Sequence, residues 1–200
     1  MSKLTKGLPY GLEWEVEPAS SHIDGADITV EATGQSDYFI DPAGTATALN
    51  GARAVGPVPD SEWQLSARVV ADLTATYDAG VLLLWSDERH FAKLCLERSP
   101  QGQAMIVSVV TREVSDDANA WDVEGDAAWL RISGLVNDTY AFHSSKDGAH
   151  WELVRHFRLV GSRPMKYGIS AQSPVGEGCS VTFEGLSVAR HSLTDLRDVT

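Results

Sequence analysis

Apolar residues recur along this chain at every second position, and that period decides what it can become. In residues 62–70, EWQLSARVV, Trp63, Leu65, Ala67 and Val69 fall on one side, while Gln64, Ser66 and Arg68 fall on the other. A period of two belongs to an extended strand with one buried face. Residues 79–85 (AGVLLLW) and 104–111 (AMIVSVVT) are nearly continuous apolar runs rich in branched side chains, the pattern of central strands covered on both faces. Residues 128–133, 139–145, 151–157, 166–173 and 179–188 complete the series. Turn signals part the runs: Gly-Pro at 56–57, Ser-Pro at 99–100 and 173–174, Asp-Gly at 147–148, Arg-Pro at 163–164. Asp147-Gly148 between two strand-like runs predicts a hairpin.

No stretch carries a long amphipathic helix; the best helical candidate is 191–199. Many short strands with frequent turns predict an all-β fold, an antiparallel two-sheet β-sandwich of jelly-roll type, as a single domain over 1–200. Its inner faces should hold Leu65, Ala67, Val69, Leu94, Leu96, Leu130, Ile132 and Phe183. A hydrophobic share of 43% with 22% charged residues is that of a folded globular chain. The net charge of −12 argues against nucleic acid and against anionic membranes as partners, since both are held by basic residues. No apolar run approaches the ~20 residues that span a bilayer. The opening MSKLTKGLPYGLEW has no apolar h-region, and with only Cys95 and Cys179 present a reducing, cytoplasmic location is expected.

Chemistry-bearing motifs are sparse. EWEVE puts Glu13, Glu15 and Glu17 on one face of an extended segment, as glucanase carboxylates are placed; Pro18 directly after it points to a solvated edge strand instead. The six histidines form no His-x-His or His-x₃-His pair, so neither a metal site nor another cofactor is expected. SDDANAWD (115–122) clusters Asp116, Asp117 and Asp122 in what is expected to be a solvated loop. SDYFIDPAG (36–44) offers Asp37 and Asp41 around two aromatics, with Asp41-Pro42 expected to turn the chain. A nucleophile elbow and a phosphate loop are both missing.

The polar residues inside strands are the remaining clue. In FAKLCLE (91–97), Lys93 and Glu97 share a face with Phe91 and Cys95, while Ala92, Leu94 and Leu96 take the other. Four residues of strand separate the two charges by about 13 Å, too far for a private ion pair. Each then needs a partner on a neighbouring strand, or a ligand in a groove. Alternation offers companions: Trp85 with Leu83, Thr111 with Val109, Arg131 with Trp129, Gln172 with Ser170. Aromatic rings beside charged and amide groups suit a sugar, whose ring faces stack while its hydroxyls take directed hydrogen bonds.

GLEWEVEP, YDAGVLLLWSDERHFAKLCLE, IVSVVTREVSDD, HSSKDGAHWELVR and YGISAQSPVGEG, in that order from about Gly11 to Val188, resemble the concanavalin A-like proteins labelled "regulation of enolase". That resemblance implies a two-sheet jelly roll with a concave face, a tendency to bind carbohydrate, and a link to a glycolytic enzyme. Lys93, Glu97, Thr111, Gln172 and Ser173 match its recurrent polar positions, whereas the glucanase carboxylates are missing from the central strands. The expected function is a module binding a carbohydrate or similar polar small molecule on its concave sheet. Trp85 and Trp129 would stack, Lys93, Glu97 and Arg131 would hold hydroxyls or an anionic group, and Thr111 and Gln172 would fix orientation. The alternatives are a regulatory or protein-interaction partner of a metabolic enzyme, and a glycoside-active enzyme using Glu97 as acid or base.

Overall fold

The computed structural model describes residues 8–197. In chain order its strands are β1 (Glu13–Val16), β2 (Ser20–Asp24), β3 (Asp27–Glu31), β4 (Tyr38–Ile40), β5 (Thr47–Leu49), β6 (Ala52–Pro57), β7 (Trp63–Ala71), β8 (Ala79–Asp87), β9 (His90–Arg98), β10 (Ala104–Arg112), β11 (Val114–Val123), β12 (Ala127–Gly134), β13 (Thr139–Ser145), β14 (Glu152–Arg158), β15 (Lys166–Gln172) and β16 (Ser180–Ala189). They pair into two seven-stranded sheets and one hairpin. The first sheet runs β1-β6-β15-β8-β9-β10-β11, the second β14-β13-β12-β7-β16-β3-β2, and β4-β5 stands apart. Every ladder is antiparallel. The fold is thus the all-β, two-sheet jelly-roll sandwich that the alternation predicts.

β7 shows the cause most cleanly. Trp63, Leu65, Ala67, Val69 and Ala71 are buried, and the polar residues between them are not. Leu65, Ala67, Val69, Leu130, Ile132 and Phe183 of the second sheet join Leu94 and Leu96 of the first in one apolar cluster, as their positions in the sequence require. Removing one such leucine to alanine costs about 2–5 kcal/mol. Asp147 and Gly148 turn β13 into β14: Gly148 takes φ +75°, and Asp147 accepts from the Ala149 and His150 amides.

β8 and β9 are buried on both faces because the β4-β5 hairpin lies across the outward side of the first sheet. Tyr38, Ile40 and Leu49 pack on Val55, Leu83, Trp85 and Phe91, while Phe39 packs with Val81, Cys95 and Val109. The Tyr38 ring meets Trp85 edge-on at 5.3 Å and Phe91 at 6.1 Å, and its hydroxyl donates to the Gly51 carbonyl.

Three expectations are corrected. Residues 115–122 are not a loop but the middle of β11, paired with β10 as the sheet's last strand. An edge strand tolerates the acidic and small side chains that mask its strand character. Gly56-Pro57 ends β6 rather than forming a separate turn, with Pro57 opposite Lys166; proline is tolerated at a strand terminus. Residues 191–197 are not helical, and the last part of that candidate, 198–199, lies outside the described residues, as do residues 1–7 of the opening segment. β1 is an edge strand, and its Glu15 pairs with Arg53 at 3.0 Å and with Lys166. Among the described residues no helix is long and apolar enough to cross a membrane.

Candidate ligand pocket

The alternation within β9 sends Ala92, Leu94 and Leu96 into the core between the sheets, leaving Phe91, Lys93, Cys95 and Glu97 on the outward face. On that face Leu83 of β8 and Val109 of β10 stand directly beside Lys93, and Asp117 of β11 stands beside Val109. Lys93 is only 2% exposed. Its Nζ donates to Asp37 Oδ1 at 2.8 Å and to Gln172 Oε1 at 3.0 Å. Asp37 comes from the base of the hairpin and Gln172 from the end of β15, so one ammonium ties three separate segments together. A buried ammonium would shed its charge through desolvation, but the ion pair with Asp37 leads the contributions that outweigh that and hold its pKa above the usual lysine value.

Lys93 and Glu97 do not pair with each other, as their separation along the strand requires. They share a pocket of about 230 Å³, lined by Asp37, Phe39, Tyr77, Lys93, Glu97, Val109, Asp117 and Gln172. At about 30 Å³ per water, that is room for about seven waters or one small ring. Burial pushes the Glu97 carboxyl up to about 8; the charges of Asp117 and Asp37 add to the rise, and Lys93 opposes it. At neutral pH Glu97 is therefore largely an O–H donor. Asp117 is also raised, by burial first, with Lys93 opposing.

Tyr77 forms part of the rim, 42% exposed, with a left-handed backbone at φ 67°. That conformation is uncommon for a bulky residue and needs fixing by its surroundings. Tyr77 N–H donates to the Arg98 carbonyl at 2.8 Å, and the Gln172 amide donates to the Tyr77 carbonyl at 3.4 Å. The next residue, Asp78, is fully buried and accepts from Thr74 and Ala75 amides and from the Ser173 hydroxyl at 2.6 Å. Ser173 therefore braces the rim from beneath.

Of the residues expected to bind ligand, Lys93, Glu97 and Gln172 meet in this pocket; the other four do not. Trp85 is on the same face but 5% exposed, stacked on Phe91 and covered by the Arg53 guanidinium at 3.7 Å. Its ring has no free face for a sugar. Thr111 is fully buried against Ser115 Oγ at 2.9 Å, and Ser115 in turn accepts from the Ile40 amide at 2.9 Å, so Thr111 anchors the hairpin. Trp129 and Arg131 are on β12, in the other sheet. A Cβ on Gly148 would stand 2.8 Å from the Trp129 ring, which lies close under the β13-β14 turn. Arg131 lies over the Trp151 ring at 4.1 Å. Alternation assigns each side chain to a face of its own strand; it carries no information on which sheet that strand will join.

Asp37, Phe39, Tyr77 and Asp117 are the pocket residues that sequence reasoning leaves out. Asp37, Phe39 and Asp117 belong to segments whose composition reads as turn or loop, and the alternation of Ser115, Asp117 and Asn119 is the one available signal. Together the eight side chains offer an ammonium, a carboxylic acid O–H, carboxylate acceptors and two rings, a set suited to a polyhydroxylated ligand. Among the described residues no group of three or more His, Cys, Asp or Glu side chains could hold a metal ion.

Solved structures share this architecture. A functionally unknown protein from Saccharomyces cerevisiae superposes with a TM-score of 0.81 at 24% identity, covering 94% of this chain and 100% of that one. The GH43 BlXynB protein of Bacillus licheniformis gives 0.67 at 14% identity over 82% of this chain and 33% of that one. A bifunctional GH43-CE protein of Bacteroides eggerthii gives 0.70 at 13% identity over 96% of this chain and 25% of that one. These likenesses show the fold, and this chain spans only a third or less of the two GH43 proteins. No curated protein matches the sequence. A family model does, over residues 14–191, from the second residue of β1 to just past β16, and the chain accordingly belongs to the family described as "Protein of unknown function (DUF1349)".

Proposed function

We propose that this protein is a binding module that takes a carbohydrate or similar polar small molecule in the pocket between β9 and the β4-β5 hairpin. The observation that carries this reading is the pocket itself. Its polar groups converge from five segments, and its buried ammonium is fixed before any ligand arrives, so little ordering cost remains for binding. Its size limits the ligand to about one sugar ring or the end of a longer chain. The GH43 names among the structural neighbours are consistent with a carbohydrate context for the fold, without assigning a substrate here.

Thermal shift against a sugar panel together with a glycan array tests it. Wild-type protein should respond to at least one polyhydroxylated ligand, and Val109→Phe, which fills the pocket from its floor, should not. No response to any sugar by folded wild-type protein overturns the reading. Recovery of one stoichiometric enzyme by pull-down, equal for wild type and Val109→Phe, would move the function to a protein-interaction role. A glycoside-active role for Glu97 would instead require turnover that Glu97→Gln abolishes.

A further inference from the structure

We propose that the outward face of the second sheet holds a second site, a cradle for a small oxyanion built on Arg131 with His143, Ser133 and Gln64. It is separate from the pocket beneath the hairpin and stands on different observations. Arg131 is 7% exposed, and its Nε and one terminal nitrogen have no acceptor among the described residues. His143 and Ser133 are fully buried, and the His143 Nδ1 and Ser133 hydroxyl are likewise unpartnered, as is the Gln64 amide nitrogen. Orphaned polar groups of this kind are rare in folded proteins, and here four residues contribute them side by side.

The strand register brings them together. Arg131 stands directly opposite His143 on β13 and Ser66 on β7, and Ser133 stands opposite Gln64. Opposed side chains are about 5 Å apart and same-face neighbours roughly 6.6 Å, which puts Arg131 and Ser133 in the middle and Gln64 and His143, on the flanking strands, about 12 Å apart, a gap their side chains and a small oxyanion together span. Leu130 and Ile132, which flank Arg131 in sequence, point into the core. The Trp151 ring covers one face of the guanidinium and sets its plane, while Nε and one terminal nitrogen, both buried, stay without an acceptor, the pair of donors a fork-like contact uses. The one carboxylate on this face of the neighbouring strand β16, Glu184, is already held by Arg68. Ser66 is committed to Ser187 at 3.0 Å.

His143 refines the ligand class. Its Nε2–H donates to the Leu196 carbonyl at 3.0 Å, so in the neutral ring Nδ1 is a bare acceptor. Burial first, then the nearby Arg131 charge, hold its pKa down at about 4, against the hydrogen bond to Leu196. Donors from Arg131 and Gln64 beside an acceptor from His143 suit an oxyanion that carries its own O–H. Monohydrogen phosphate and a 2-hydroxycarboxylate share that chemistry.

The test uses the full chain with inorganic phosphate, lactate and acetate at matched ionic strength, following the melting temperature and the NMR signals of the His143 ring. Phosphate or lactate should shift the His143 signals saturably and raise the melting temperature, with acetate, which lacks the O–H, several-fold weaker. A stronger response to phosphate assigns a tetrahedral ligand, and a stronger response to lactate a planar one. Arg131→Met should abolish the response while leaving the ligand-free melting temperature unchanged or higher, and Gln64→Leu should weaken binding several-fold. The proposal is overturned if none of the three anions moves His143 saturably across the millimolar range. It is equally overturned if Arg131→Met lowers the ligand-free melting temperature, because the guanidinium would then already be partnered within the fold.

Discussion

Lys93 and Arg131 are both cations buried on the outward face of a sheet, 2% and 7% exposed, yet they are held in opposite ways. Lys93 has a carboxylate at 2.8 Å and an amide oxygen at 3.0 Å, both delivered by other segments. Arg131 has an aromatic ring against it and two buried donors without an acceptor among the described residues. The electrostatics follow: the Asp37 ion pair leads the contributions that overcome desolvation and raise Lys93, whereas desolvation alone pulls Arg131 down to about 10. Burial of a charge is therefore no guide to its role. A partnered cation is part of the scaffold that shapes a pocket, and an unpartnered one marks a place where the fold lacks an anion.

Substitutions can break or sharpen that contrast. Lys93→Met should have the largest effect, leaving the Asp37 carboxylate without its counter-charge and lowering unfolding stability in urea by about 3 kcal/mol. A loss near zero would mean that the Asp37 ion pair adds nothing to the hairpin's attachment. Asp37→Asn should cost less, about 1–2 kcal/mol, since Gln172 still accepts from the ammonium and Asp37 is itself 18% exposed.

Glu97→Gln should act through pH. The Glu97 pKa is raised from 4.5 to about 8 on folding, so between those values the folded chain keeps a proton that the unfolded chain has lost. Its contribution is fully present below pH 4.5 and is lost as pH rises through 8, so wild-type stability should fall across that window. A tenfold difference in proton affinity is worth about 1.4 kcal/mol, and solvent at the partly open pocket mouth screens some of it. Denaturation at a series of pH values should show a flatter profile for Glu97→Gln; parallel profiles would remove Glu97 as the source. Arg131→Met should have the smallest effect in ligand-free protein, within about 0.5 kcal/mol or slightly stabilising. A loss matching that of Lys93→Met would erase the contrast altogether.

Much of the sandwich can be read in the sequence because hydrophobic alternation is a local signal. EWQLSARVV states its buried face outright, and AGVLLLW announces a strand covered on both sides. What covers it is not legible: the β4-β5 hairpin is two three-residue strands whose apolar side chains pack on residues far along the chain. The same gap explains the site. Lys93, Glu97 and Gln172 fall together because all three lie on one sheet, and Arg131 and Trp129 fall away because sheet membership is a long-range property. Asp37 and Asp117 escape notice for a related reason. Acidic side chains read locally as solvated turns, and only the folded sheet brings Asp37 to a lysine and Asp117 to the same pocket.

Saturation-transfer NMR on a panel of mono- and oligosaccharides, read through the Lys93 ammonium signal, tests the central claim most directly. A ligand in the pocket should show transfer, perturb Lys93 Nζ saturably, and lose both effects in Val109→Phe. Binding that leaves Lys93 unmoved, or that survives in folded Val109→Phe, would place recognition elsewhere and contradict the pocket as the functional site.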